Sequence, residues 1–211
     1  MKRFSVFDLD GTLLTCNSSI SFCHFLYKRN VLSLSQLSYC FFRYLLFKRG
    51  FLSLHQLHRD IFFRLFVGVS VDLLNKHLVD FIPYLQKRVY KPAFKQLQEA
   101  LAKGFSVSIF SSSPQFLIAP LVEKWGPISL TGSAYTIDKS GKLCDIAEII
   151  DGEGKALRLK EIIANSQECE VAAFSDSILD LPFLQSAHRP VAVRPDKKLH
   201  KQALKKGWEI L

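Results

Sequence analysis

The chain has 211 residues, 48% of them hydrophobic, which supplies a sizeable core and excludes a disordered protein. Its five cysteines show no Cys-x-x-Cys spacing and are odd in number, so neither a zinc site nor a disulfide framework is indicated and a reducing cytoplasm fits best. No secretory signal is apparent after Met1. The net charge of +9 favours anionic partners, but the cations are dispersed without a nucleic-acid motif, so we expect no nucleic-acid partner.

The first predicted element is an apolar strand that ends in two carboxylates. Phe4 to Leu14 reads FSVFDLDGTLL, with Asp8 and Asp10 followed by Gly11 and Thr12 where a strand gives way to a loop. Ligands bind at this end of the strands in an open parallel sheet, and strand alternation puts Asp8 and Asp10 on the same side. Two acids this close can share a divalent cation and leave one oxygen as a nucleophile.

A long helical region follows, from about Cys16 to Val89. Its predicted N-caps are Asn17, Ser33, Ser53 and Ser70, and its predicted helix stops are Gly50 and Gly68. We therefore expect four helices. The region is rich in aromatic residues, yet its densest part, Leu37 to Phe47, is interrupted by Arg43 and falls short of the about 20 apolar residues of a membrane span. These side chains form the insertion's own core, an apolar pocket, or a face that lies in a membrane interface.

From Tyr90 onward, helices and strands alternate, which predicts a parallel α/β core. The predicted elements are a helix from Pro92 to Gly104, a strand at Phe105–Phe110, a helix at Gln115–Lys124, a hairpin of Ser129–Ile137 and Lys142–Ile149, a helix from Gly152 to about Asn165, strands at Val171–Phe174 and Pro190–Val193, a basic helix from Asp196, and a terminal strand at Trp208–Leu211.

Three of these strands end in polar clusters. Ser111 follows the second strand, Asp176 and Asp180 follow the third, and Lys155 lies at the start of the helix between them. Parallel strands bring their carboxyl ends to one edge, so these groups would meet Asp8 there. Phosphoryl transfer needs such a set: a nucleophile, a magnesium ion, a hydroxyl, a cation and a proton donor. Ser111 alone would be read as a helix N-cap, and Lys160 competes with Lys155, but two glycines before Lys155 favour its approach to a phosphate.

Four stretches together resemble the motifs of the haloacid dehalogenase-like superfamily, in its phosphoserine-phosphatase-like branch. They are DLDGT from Asp8, FSSSPQFL at 110–117, GEGK at 152–155 and SDSILDLPFL at 175–184. The resemblance implies an α/β fold, a Rossmann-like parallel sheet core flanked by helices, with a helical cap inserted between the first and second motifs. The implied core comprises residues 1–15 and 90–211, and the implied cap residues 16–89.

The resemblance also implies a role for each motif residue. Asp8 becomes an aspartyl phosphate and Asp10 is the general acid and base. Mg²⁺ is held by Asp8, Asp176 and the backbone carbonyl of Asp10. Asp180 steadies the metal site through Lys155 or water. The phosphate and substrate contacts are assigned to Gly11, Thr12, Asn17, Ser111, Ser112 and Lys155.

Two positions depart from the family pattern. Ser175 replaces a usual glycine, which tightens the loop and leaves Asp176 intact. Asn17 stands where phosphoserine-type members carry an acid for the substrate ammonium, so phosphoserine is disfavoured as a substrate. Asn17 has a second interpretation as the cap of the first inserted helix. His55 and His58 share a helical face, but no third ligand accompanies them, so no metal site is expected there.

The sequence thus predicts a cytoplasmic, magnesium-dependent phosphatase that hydrolyses a small phosphorylated metabolite through an aspartyl phosphate. The alternatives are a phosphatidylglycerophosphatase-like lipid-phosphate phosphatase in peripheral contact with anionic lipid, and a phosphotransferase that uses the same aspartate. No pattern specifies an oligomeric state.

Overall fold

A computed structural model describes residues 1–211, and its centre is a seven-stranded sheet. The strands run in the order β4-β3-β2-β1-β5-β6-β7, and every neighbouring pair is parallel except β3 with β4. Helices flank this sheet, which confirms the predicted α/β class.

The strands are β1 (Lys2–Phe7), β2 (Ser106–Pro114), β3 (Ser129–Ile137), β4 (Leu143–Glu148), β5 (Cys169–Ser175), β6 (Arg189–Ala192) and β7 (Glu209–Ile210). The helices are α1 (Ser18–Lys28), α2 (Leu34–Lys48), α3 (Leu54–Ile61), α4 (Val71–Gln86), α5 (Lys91–Ala102), α6 (Gln115–Val122), α7 (Gly152–Ala164), α8 (Leu181–Gln185) and α9 (Lys197–Lys206). A π-helical turn follows α3 at Phe62–Phe66, and 3-10 turns lie at Glu123–Trp125 and Ile178–Asp180.

β1 is the central strand of the sheet, and both of its faces are covered. Val6 and Phe7 are fully buried, and the Phe7 ring stacks on Phe174 of β5 with 4.2 Å between centroids. The run that ends β1, from Ser5 to Phe7, is buried as expected for a strand covered on both faces of a parallel sheet, whereas the first two residues of β1 are exposed. The charged residues that end this run are therefore placed at the middle of the sheet's carboxyl edge.

Helices α1 to α4 lie between β1 and α5, and all four predicted N-caps occupy N-cap positions. Asn17 accepts from the backbone amide of Ile20 at 2.9 Å. Ser33 and Ser53 each form a capping box with the glutamine three residues later. Local side-chain chemistry thus fixes where α1, α2 and α3 begin, whereas Ser70 precedes α4 without a side-chain capping bond.

Helices α1 to α4 are joined to the rest of the chain by backbone hydrogen bonds at two places. At the two ends of this segment, Thr15 N donates to Arg88 O at 2.7 Å. Near its middle, Gly68 N donates to Leu143 O at 2.8 Å, and Leu143 N donates to Val69 O at 3.0 Å. The second contact ties the turn before α4 to the β3–β4 hairpin.

Most predicted boundaries differ from the structure by one to three residues, and the second strand differs more. We expected it at Phe105–Phe110, but β2 continues to Pro114, which pairs with Ser133 of β3 beyond a register shift. The serines that follow Phe110 are thus part of the strand. Ser111 is not a helix N-cap, because that position before α6 is held by Pro114.

Candidate active site

The carboxyl ends of β1, β2 and β5 form the floor of a cavity of about 610 Å³, and the inserted helices form its opposite wall. The floor carries Asp8, Asp10, Gly11, Ser111, Ser112, Ser113, Lys155, Asp176 and Asp180. The opposite wall carries Asn17, Tyr44, Phe47, Lys48, Leu54, Leu57, His58, Ile61 and Phe66, joined at the side by Phe116 and Tyr135. All but one of the predicted site residues therefore line one cavity.

Lys155 ties two carboxylates together at the base of the cavity. Its Nζ lies 2.6 Å from Asp8 Oδ1 and 2.7 Å from Asp180 Oδ2, and the side chain is only 2% exposed. A buried ammonium requires such partners, because an unpaired buried charge is strongly destabilising. Burial alone lowers the pKa of Lys155, but the charges of Asp180 and Asp8 outweigh it and raise that pKa above its usual value. Lys155 is thus a fixed cation beside Asp8.

One lysine does not balance the three carboxylates around it. Burial, together with the negative charges of Asp180 and Asp176, raises the pKa of Asp8 to about 8. Burial and the Asp180 charge likewise raise the pKa of Asp176 to about 6. A further cation at this edge would relieve the excess negative charge.

The residues of the predicted magnesium site fit such a cation. Mg²⁺ prefers oxygen ligands, and Asp8, Asp176 and the carbonyl of Asp10 would supply them. No group of three or more His, Cys, Asp or Glu side chains is arranged to hold a metal, whereas this set needs only two carboxylates. Gly11, with φ of +91°, lets the chain pass close to Asp176, because a Cβ there would lie 2.3 Å from Asp176 Oδ2.

Thr12 is the predicted site residue that lies outside the cavity walls. Its side chain is fully buried, and its hydroxyl donates to Asp176 Oδ1 at 3.1 Å. The residue was predicted to contact phosphate. Its position supports Asp176 instead.

Asp10 is held by three hydrogen bonds. Ser113 Oγ donates to Oδ2 at 2.6 Å, and Ser18 donates to Oδ1 through its backbone amide at 2.9 Å and to Oδ2 through its hydroxyl at 3.0 Å. Burial raises the pKa of Asp10, and these donors act in the opposite direction. The carboxyl group is thus fixed between β2 and the first residue of α1.

The remaining predicted residues differ in how their polar atoms are used. Ser111 is buried, and its Oγ accepts from the amide of Ser113 at 3.1 Å, which leaves the hydroxyl hydrogen free. Ser112 reaches the cavity, and its carbonyl accepts from Ser133 at 2.7 Å. Asn17 lines the cavity while its Oδ1 caps α1. The capping interpretation therefore describes the observed contact of Asn17.

The wall opposite the carboxylates is mostly apolar and carries one half-buried polar pair. Tyr135 OH and His58 Nδ1 lie 3.3 Å apart. Burial lowers the pKa of His58 to about 4 and raises that of Tyr135, so both are neutral near pH 7. His55 lies nearer the surface, 3.7 Å from Asp151 Oδ2. The part of the cavity away from the carboxylates is therefore lined for a group with substantial apolar surface.

Sequence reasoning missed three serines that hold the acidic residues. Ser18 and Ser113 contact Asp10, and Ser175 Oγ donates to Asp180 Oδ2 at 2.7 Å. The available signals were the serine run after Phe110 and the serine in place of a usual glycine. Tyr135 was also missed, because its place in the cavity depends on the course of β3.

Comparison with known proteins gives matches along the whole chain. A family model described as haloacid dehalogenase-like hydrolase matches residues 5–185. A histidinol-phosphatase from Neisseria meningitidis serogroup C (strain 8013) is 26% identical over 226 residues, covering 100% of this chain and 99% of the relative.

Two solved structures share the fold. One is a protein of unknown function from Bordetella pertussis Tohama I, with a TM-score of 0.88 and 23% identity over 100% of this chain and 98% of that one. The other is a substrate-bound phosphoserine phosphatase complex, with a TM-score of 0.69 and 17% identity over 98% of each chain.

Proposed function

The chain belongs to the haloacid dehalogenase-like hydrolase family and is a phosphatase, and we propose that it hydrolyses a phosphomonoester through an aspartyl phosphate on Asp8 with Mg²⁺ bound. The observation that carries the proposal is the pairing of Asp8 with the buried Lys155 at 2.6 Å on the floor of a cavity open to a leaving group. Residues 1–15 and 90–211 form the proposed catalytic core, and residues 16–89 the proposed cap.

In the proposed reaction, the free oxygen of Asp8 attacks phosphorus and the ester oxygen leaves. Asp10, held by Ser18 and Ser113, gives its proton to that oxygen and then takes one from the water that hydrolyses the aspartyl phosphate. The Lys155 ammonium and the Ser111 hydroxyl bind the phosphoryl oxygens. Phosphate leaves, and the Asp8 carboxylate is restored.

Asp8, Asp176 and the backbone carbonyl of Asp10 would hold Mg²⁺. When bound, the ion offsets the negative charge of the phosphoryl group and of the carboxylates. Asp180 orients Lys155, and Thr12 orients Asp176.

The proposed substrate is a small phosphorylated metabolite. Histidinol phosphate is the first compound to test, because the full-length relative is named a histidinol-phosphatase. Asn17 supplies no charge for the ammonium group that phosphoserine and histidinol phosphate both carry, and its Oδ1 caps α1, so the apolar wall is what separates the two candidates. The apolar wall around Tyr44 and Phe47 favours leaving groups with more apolar surface than serine.

The test is a phosphate-release assay across a panel of phosphomonoesters, with Mg²⁺ and with EDTA. We expect release that needs Mg²⁺ and is lost in Asp8→Asn, whereas Asp72→Asn, an exposed acid on α4, retains it. Acid-quenched protein should also carry label from a ³²P-ester in a form released by hydroxylamine. Full turnover by Asp8→Asn would refute the assigned nucleophile.

Two alternatives use the same Asp8. A lipid-phosphate phosphatase is favoured by the exposed aromatic residues of α2, and lipid phosphates in the panel test it. A phosphotransferase would pass the phosphoryl group to an alcohol, so product analysis with added alcohols separates it from hydrolysis. A phosphorylated alcohol as the main product would replace the hydrolase assignment.

A further inference from the structure

Helix α2 presents large apolar side chains to solvent along one side. Four of them lie on α2 at helical spacing, and the fifth, Phe51, lies in the loop before α3. We call this set the α2 apolar face: Leu34, Phe41, Phe42, Leu45 and Phe51. Their exposed fractions range from 45% for Leu45 to 73% for Phe51. Isolated exposed apolar residues are ordinary, but a contiguous row of them marks a binding surface.

The stretch of chain that carries this face contributes charge of one sign. Residues 11–59 contain no Asp or Glu, and they contain six Lys or Arg. Arg43 is paired with Asp60, and Arg29 with Asp80, both acids from later in the chain. Lys48 and Arg49, at the end of α2, are exposed and make no ion pair. The α2 apolar face is thus bordered by free positive charge.

From these features we infer that the α2 apolar face docks on an anionic lipid bilayer. A helix with aromatic and leucine side chains on one side and Lys or Arg beside them lies in a membrane interface, apolar side down. Lipid phosphates supply the negative charge that the surface lacks. A second copy of the chain fits less well, because self-pairing of this face would bring its own cations together. None of the helices combines the length and apolar composition needed to cross a bilayer.

The docking surface borders the candidate active site. Gly50 and Leu52, on either side of the exposed Phe51, line the cavity, as does Lys48. A bilayer on the α2 apolar face would therefore lie beside the cavity wall formed by this loop. The inference itself does not depend on the proposed reaction, because adsorption to lipid needs no turnover.

The test is co-sedimentation of the full chain with phosphatidylglycerol/phosphatidylcholine vesicles. We expect binding at low salt that falls at high salt, where the screening length shrinks from about 10 Å at 0.1 M to about 3 Å at 1 M. Pure phosphatidylcholine vesicles should bind at least about tenfold more weakly. Absence of binding to the anionic vesicles at low salt would overturn the inference.

Substitutions then locate the surface. The triple variant Phe41→Ser/Phe42→Ser/Phe51→Ser should lose about tenfold or more in vesicle affinity. The matched control Ile137→Ser/Leu157→Ser/Leu204→Ser removes equally exposed apolar residues elsewhere and should bind like the parent chain. Equal losses in both triple variants, or none in the first, would contradict the assignment to α2.

A conservative single variant keeps the test informative if the triple variant does not fold. Phe42→Trp should show a blue shift of its emission on adding anionic vesicles, above the background of Trp125 and Trp208. No shift would contradict the inference. Light scattering without lipid measures whether the parent chain forms a dimer. A dimer that becomes monomeric in Phe42→Ser would assign the face to a second copy of the chain and overturn lipid docking.

Discussion

Ser175 donates a hydrogen bond of 2.7 Å to Asp180 Oδ2, the same oxygen that accepts from the buried lysine ammonium. Both residues are buried, so water cannot replace this hydrogen bond if it is lost. A side chain that differs from the usual glycine of the motif has thus become part of the network that positions Lys155.

Replacing Ser175 with alanine should lower the free energy of unfolding by about 1–2 kcal/mol, because a buried charged acceptor loses a donor. It should also lower kcat more than it raises KM, since Lys155 is less firmly positioned. Denaturant titration and steady-state kinetics measure both. The control is Ser140→Ala, which removes a serine–aspartate bond of the same 2.7 Å length in an exposed turn and should change stability by less than about 0.5 kcal/mol. Equal effects of the two variants would show that burial does not matter here.

Replacing Ser113 with alanine should reduce kcat by roughly tenfold or more with little change in KM, because Asp10 loses its shortest hydrogen bond and with it a fixed orientation. Ser19→Ala is the matched control. Ser19 Oγ contacts Ser113 at 2.8 Å but makes no hydrogen bond to Asp10, so this variant should retain most of its kcat. A wild-type kcat in Ser113→Ala would mean that the hydroxyl does not position the acid.

Replacing Gly11 with alanine should abolish most of the stabilisation by Mg²⁺, because the new Cβ would displace Asp176. Gly141→Ala is the control, since Gly141 also has a positive φ, of +77°, but has nothing within 4 Å of the added Cβ. Both variants carry the strain of an unfavourable φ, about 1 kcal/mol. Only Gly11→Ala should lose the rise in Tm that Mg²⁺ produces in the parent chain. A preserved rise would remove Asp176 from the proposed metal site.

His58 should make stability depend on pH below neutrality. Burial lowers its pKa to about 4 in the folded state, against about 6.5 in the unfolded chain. Between these values the unfolded state binds more protons, so this contribution to stability is present above pH 6.5 and is lost as the pH falls to 4. The loss amounts to at most about 3 kcal/mol.

The measurement is Tm against pH for the parent, His58→Gln and His55→Gln chains. His58→Gln should flatten the curve between pH 6.5 and 4 relative to the parent. His55→Gln, which changes the more exposed histidine near Asp151, should leave the slope nearly unchanged. The same slope in His58→Gln as in the parent would assign the acid sensitivity to other groups.

The sequence predicted those features that depend on local pattern. The apolar run before Asp8 indicated a buried strand because a short run that ends at a turn signal is typical of a strand covered on both faces. Asn17, Ser33 and Ser53 marked helix starts because their side chains satisfy nearby amides. The convergence of Lys155 with Asp8 followed from the shared direction of parallel strands.

Features that depend on distant packing were not predictable in this way. The continuation of β2 to Pro114 depends on pairing with Ser133. The serines after Phe110 have no strand preference from which this continuation could be predicted. The contact of Thr12 with Asp176 joins residues 164 positions apart, and the tight passage at Gly11 appears only when both chain segments are in place. Asn17 had two interpretations because capping and substrate binding use the same residue type.

The backbone bonds between Val69 and Leu143 bear on how a substrate reaches the cavity. Together with the junction at Thr15 and Arg88, they fix the helical insertion to the sheet domain at two separated points. Ser18 adds a further attachment through its hydrogen bonds to Asp10, and α1 and α4 also pack against α6. Any separation of the insertion from the sheet on this side requires the bonds between Gly68, Val69 and Leu143 to break, so hydrogen exchange at the Gly68 and Leu143 amides would report it in solution.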